Sequence, residues 1–118
     1  LFWSNSLELW KSGNFFELLF GFGFEGLTEL NYKTTGNKVI AHNEFLNQLA
    51  QNGLIGLILI TTFLFKIYSY LMDCSGSRYF RIAFSLFSTY IIILILQGGF
   101  WIIPEFFLVT IIYLAKNI

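Results

Sequence analysis

The chain has 118 residues, of which 56% are hydrophobic, 20% are aromatic and only 12% carry charge. A soluble domain carries roughly 25% charged residues, so too little polar surface remains here to cover an apolar chain of this size, and an ordinary water-soluble globule is excluded. The zero net charge hides two regions. Residues 1–52 hold five glutamates against three lysines, and residues 53–118 hold four cations against Asp73 and Glu105, leaving −2 and +2. Neither region is basic enough for nucleic-acid binding. The single cysteine, Cys74, permits no internal disulfide.

Taken in chain order, residues 2–10 (FWSNSLELW) place Trp3, Leu7 and Trp10 on one helical face, the pattern of a helix lying at a membrane interface. Residues 12–14 (SGN) break it, and residues 15–20 (FFELLF) are apolar again. Gly21-Phe22-Gly23-Phe24-Glu25-Gly26 matches G-x-G-x-x-G. A dinucleotide site would require a preceding strand and a βαβ unit, and neither is present in the pattern. A glycine-rich turn is the expected reading, with the further possibility that its backbone N–H groups hold phosphate. The polar stretch that follows, up to Lys38, reads as loop, with Glu25 and Glu29 as solvated loop charges.

Residues 43–52 (NEFLNQLAQN) read as an amphipathic helix. Phe45, Leu46, Leu49 and Ala50 fall within about 140° of arc, with Asn47, Gln48, Gln51 and Asn52 opposite. Asn43 is a good N-cap and Glu44 suits the first turn. If the helix reaches back to His42, that side chain lies near the middle of the apolar face. The helix is expected to run on through Gly53 and Gly56 into a first membrane span, residues 53–71. Lys66 lies near its end, where it can snorkel. Two further spans are expected, at about 82–97 and 102–116, joined by a polar loop (72–81) and by the tight turn QGGFW (97–101), with Pro104 suited to the first turn of the third. Lys66, Arg78 and Arg81 gather around the 72–81 loop, which is then cytoplasmic, and residues 1–52 face the opposite side. The expected architecture is therefore all-α and polytopic, an extracytoplasmic region (1–52) followed by transmembrane helices (53–118).

His42 is the only histidine. A neutral imidazole at the junction of a polar loop and a membrane-entering helix can act as a general base. With no second histidine and no cysteine nearby, a metal site is not expected.

Residues 41–57 (AHNEFLNQLAQNGLIGL) resemble the His-Asn-x-x-Leu…Gly-x-x-Gly-Leu segment of the bacterial O-antigen ligase/O-antigen polymerase family, and Trp10 followed by Leu19-Phe20-Gly21-Phe22-Gly23 is similar to its Trp…Phe-Gly-x-Gly stretch. The motif residues lie within 10–57. The resemblance implies a C-terminal fragment of a GT-C-like glycosyltransferase of the bacterial inner membrane, acting on glycan carried by undecaprenyl diphosphate and needing no metal or other cofactor. Its partners would be the lipid-linked oligosaccharide and a glycan or lipid A-core acceptor. It also implies that His42 activates the acceptor hydroxyl, with Trp10, Gly21, Gly23, Lys38 and Asn43 bordering the substrate. One position departs from the pattern: Ser6 stands where the family often has arginine, and no arginine precedes Arg78. Either the diphosphate-binding arginines lie upstream, or Lys11 or Lys38 substitutes without the bidentate fork, or the activity differs. The alternative from another class is a non-enzymatic polysaccharide transporter or membrane scaffold segment.

Overall fold

The computed structural model describes residues 2–38, 41–96, 110, 111 and 113, and these are helical or in short connections, with no strand among them. Five helices follow in order: α1 (Phe2–Lys11), α2 (Phe15–Phe20), α3 (Gly23–Thr35), α4 (Glu44–Asp73) and α5 (Phe80–Leu96). The first three pack around the beginning of α4, and α5 folds back along its far end.

α2 starts at a full capping box. Asn14 Oδ1 accepts from the N–H groups of Phe16 and Glu17, and the Glu17 carboxylate accepts from Asn14 N–H at 2.7 Å. Its Phe15, Phe16 and Phe20 point outward and are exposed. α3 replaces the loop expected over the polar stretch to Lys38. It ends at Gly36, which adopts the left-handed conformation (φ 77°, ψ 2°) and returns its N–H to Tyr32 O. Its stability comes from two sources that hydrophobic periodicity does not report. Leu27 is fully buried, and Asn31 is buried on a polar contact in which Asn5 Nδ2 donates to Asn31 Oδ1 at 2.9 Å and to Thr34 Oγ1 at 2.9 Å. α1 accordingly turns Asn5 and Ser6 inward and leaves Trp3 exposed, with Leu7 and Trp10 half-buried.

α4 is broken once. Gly53 is non-helical (φ 66°, ψ −162°), separating a short arm, residues 44–52, from a long arm, residues 54–73. Gly21, at the end of α2, has nearly the same conformation (φ 78°, ψ −177°), a region open essentially to glycine alone. The two glycines meet each other's chains. A Cβ on Gly21 would strike the backbone of Gln51 and Asn52, and one on Gly53 would strike the backbone of Leu19 and Phe20. The break leaves carbonyls of the short arm without helical partners, and Phe22 N–H donates to one of them, Ala50 O, at 2.9 Å.

The long arm extends about 30 Å at 1.5 Å per residue, the thickness of a bilayer's hydrocarbon core. α4 is long and apolar enough to cross a membrane, and only 28% of its most apolar stretch is buried inside the chain. Its buried residues Ile60, Leu64, Ile67 and Leu71 recur every three or four positions and meet Ala83, Phe87, Tyr90 and Leu94 of α5 in one core that Ile111 also joins. The turn between the helices is the expected polar one, closed by Ser77 N–H to Cys74 O and Phe80 N–H to Ser77 O, with Arg78 stacked on Tyr79. α5 is apolar but has 17 residues, at the lower limit for a span. The expected third span, 102–116, and the QGGFW turn lie outside the described residues apart from Thr110, Ile111 and Tyr113, which are helical.

The glycine contact gives a direct test. Gly53→Ala forces a side chain into the glycine-only conformation, a cost of about 1–3 kcal/mol before the collision with Leu19 is counted. Gly76→Ala, where an added Cβ meets nothing, should change stability by less than about 0.5 kcal/mol. Thermal unfolding of the detergent-solubilised chain, followed by helical circular dichroism, should separate the two; equal midpoints would show that the glycine contact is not holding the helices together.

Candidate functional site

The junction between the first three helices and α4 collects the residues with chemical potential. α4 begins at Glu44, with Asn43 as its N-cap in extended geometry, Oδ1 accepting from Leu46 N–H at 3.0 Å. His42 therefore stands outside the helix, and its side chain is exposed. The helix does not reach back to His42, so the condition that would put its side chain on the apolar face is not met. The segment before the helix is pinned from below: Ala41 is fully buried, and its carbonyl accepts from Asn47 Nδ2 at 2.8 Å.

That bond also corrects the placement of Asn47 on the outward polar face. Asn47 is 1% exposed, because α1, α2 and α3 together surround the short arm and leave it little solvent-facing surface. Its Oδ1 is a buried acceptor with no hydrogen-bond partner, a state that costs about 1–3 kcal/mol. Glu44 is likewise buried, accepting from Gln48 Nε2 at 2.6 Å, and Asn52 Nδ2 continues the ladder to Gln48 Oε1 at 2.6 Å. A carboxylate in the first turn is favoured by the helix dipole.

The other residues named from the sequence serve first as architecture. Trp10 Nε1 donates to Leu18 O at 3.0 Å, tying α1 to α2. Gly21 N–H is bound to Glu17 O and Phe22 N–H to Ala50 O, so two amides of the glycine-rich turn are committed within the protein and are not offered to a phosphate. Gly23 (φ 74°) is exposed, with open space where a side chain would project. Lys38 is exposed, its ammonium 5.7 Å from the centre of the Tyr32 ring.

Glu25 and Glu29, expected as loop charges, lie on α3. With Thr28, Tyr32 and Lys38 they line an open polar hollow. Glu29 is exposed and paired with Lys33 at 2.9 Å. The Lys33 hydrogen bond, reinforced by its charge and more weakly by that of Lys38, holds the Glu29 carboxyl below its usual 4.5. Among the described residues no group of three or more His, Cys, Asp or Glu side chains is gathered to hold a metal ion.

The short helix α3 and the burial of Asn31 and Asn47 escaped sequence reasoning. The available signals were Gly36 as a helix stop and the i, i+4 pair Glu29–Lys33. No protein-family model, no curated protein and no solved structure matches the chain.

Two measurements test this geometry. A depressed carboxyl pKa contributes stability that is present above the unfolded value and is lost as pH falls through the folded one. A carboxyl-detected NMR titration should therefore place the Glu29 midpoint below 4.5 and return it toward the ordinary range in Lys33→Gln. In the second, Asn43→Ala should cost about 1 kcal/mol through loss of the cap, whereas Asn43→Asp should retain most of it; equal losses in a stability assay would contradict the capping role.

Proposed function

We propose that this chain is part of a multi-pass membrane glycosyltransferase of the O-antigen ligase/polymerase type, acting on glycan carried by a polyprenyl diphosphate. The observation that carries the reading is the position of His42: an exposed imidazole, one residue before the cap of the helix that is long and apolar enough to cross a membrane. The resemblance of residues 41–57 and 10–23 to that family supports it independently of the fold.

In this reading α4 and α5 are consecutive spans, residues 102–116 supply a third, and the exposed Lys66, Arg78 and Arg81 mark the cytoplasmic turn. Residues 1–52 then lie on the outer face of the inner membrane, where α2 presents Phe15, Phe16 and Phe20 to the interface. His42 accepts the proton of the acceptor hydroxyl as its oxygen bonds to the anomeric carbon. The bond from that carbon to the diphosphate oxygen breaks, the electron pair leaves with the polyprenyl diphosphate, and His42 passes its proton to water. Lys38, exposed and nearest in sequence to His42 among the cations, is the candidate partner for the diphosphate from this region. The substituted arginine at Ser6, with the high Phe, Ile and Asn content, favours the polymerase branch over the ligase.

His42→Ala in the full-length protein should leave membrane levels unchanged and lower glycan transfer by about 10²–10⁴-fold, the usual loss on removing a general base. Normal surface glycan at normal protein level would sink the reading. A gel of the surface polysaccharide separates the branches: single-repeat glycans accumulate when a polymerase is lost, and unattached lipid-linked chains when a ligase is lost.

A further inference from the structure

A groove of about 490 Å³ runs along α4 and crosses the Gly53 break, a volume within the usual range for small-ligand sites. Its two ends differ in chemistry. On the short-arm side it opens on the carboxamides of Gln48 and Asn52. Beyond the break its walls are Ile55, Leu59 and Phe63, with Phe20 of α2 at the rim. Gly56 contributes a floor without a side chain. The walls are not closed over, since Leu59 is 65% and Phe63 47% exposed.

The length of the apolar part limits what can fill it. From Ile55 to Phe63 α4 rises about 12 Å. That is close to the depth of a single leaflet, about 15 Å or half of the hydrocarbon core. A partner helix would need a seam along the whole long arm, as α5 has through Ile60, Leu64, Ile67 and Leu71. A chain belonging to one leaflet needs no more than the groove provides.

The polar end limits the head. No cation lines the groove among the described residues, and the carboxamide ladder leads from Asn52 through Gln48 to the carboxylate of Glu44. A diphosphate finds no positive charge there. An uncharged acceptor does find partners, because each carboxamide carries two donors and the ladder uses one of each pair. Ester carbonyls sit at this depth, between headgroup and hydrocarbon.

We infer that this groove binds one acyl chain of a membrane glycerophospholipid, with the ester carbonyl hydrogen-bonded to Gln48 and Asn52. The inference rests on α4 lying in a membrane, and it holds or fails independently of glycosyl transfer.

Native mass spectrometry of the full chain in nonionic detergent, titrated with a phosphatidylcholine, tests it. One lipid should bind saturably. Leu59→Trp, which fills the groove from an exposed position, and Asn52→Leu, which removes the polar end, should each weaken binding by about tenfold. Phe65→Trp, exposed outside the groove, should bind as the parent does, and circular dichroism should show all three equally helical. Equal concentrations of a polyprenyl diphosphate should not displace the phospholipid. Unsaturable binding, equal loss in Phe65→Trp, or binding unchanged in both groove variants would overturn the site. Displacement by the polyprenyl diphosphate would overturn the assignment of its occupant.

Discussion

The contact between Gly21 and Gly53 sets the geometry of everything around it. Two backbones approach so closely that neither can carry a Cβ, and both take a conformation that only glycine adopts readily. The break in α4 follows from this contact. An unbroken α4 would carry its short arm straight on from the long one. The break lets the end of α2 enter the helix wall, and the Phe22 bond to Ala50 O repairs part of the interrupted ladder. The direction of the short arm fixes where the cap at Asn43 and the exposed His42 stand. The same break places two carboxamides beyond one end of an apolar groove. A single backbone contact thus positions both the candidate base and the candidate lipid site.

Around that contact the usual distribution of polar and apolar groups is partly reversed. Asn5, Ser6, Asn31, Asn43, Glu44 and Asn47 are buried, whereas Phe15, Phe16, Phe20 and Phe24 are exposed. In water this arrangement would be costly on both counts. At a membrane it is coherent. Exposed rings suit helices lying at an interface, and the buried polar side chains are hydrogen-bonded, as in the Asn5–Asn31–Thr34 cluster. Low dielectric surroundings strengthen such bonds and penalise any left unmade. The chain therefore shows two packing regimes. Polar contacts join α1 to α3, and an interdigitated apolar seam joins α4 to α5.

The long arm, its polar turn at 74–79 and the amphipathic start of α4 were legible because each produces a strong local signal: an unbroken apolar run, a Ser-Gly-Ser turn and an Asn-Glu helix start. α3 was not legible. Its core side is Leu27 and Asn31, one apolar and one polar residue, so no hydrophobic stripe marks it, and the glycines before it read as loop. Asn47 is the related case of a polar residue that is buried. Its burial depends on α1, α2 and α3 closing around the short arm, a tertiary fact that no window of neighbouring residues contains. The break at Gly53 is of the same kind. Glycine in a helix announces only a possibility, and the meeting with Gly21, 32 positions away in the chain, decides its use.

The candidate site combines firm support with one unresolved element. His42 is flanked by a buried Ala41 and a buried, capping Asn43, so the backbone that carries it is anchored on both sides while the imidazole remains exposed. Under the proposed reading, a base held in this way keeps its position while open to water, which suits proton transfer from an acceptor arriving from water. The Asn47 amide that secures Ala41 leaves its own carbonyl buried and unpaired. Replacing Asn47 by an apolar residue would remove that unpaired acceptor and would also release the Ala41 carbonyl, so one side chain both secures the segment next to His42 and carries a buried unpaired oxygen. Such departures from a fully satisfied interior concentrate where function constrains the chain, and this one lies beside the only histidine.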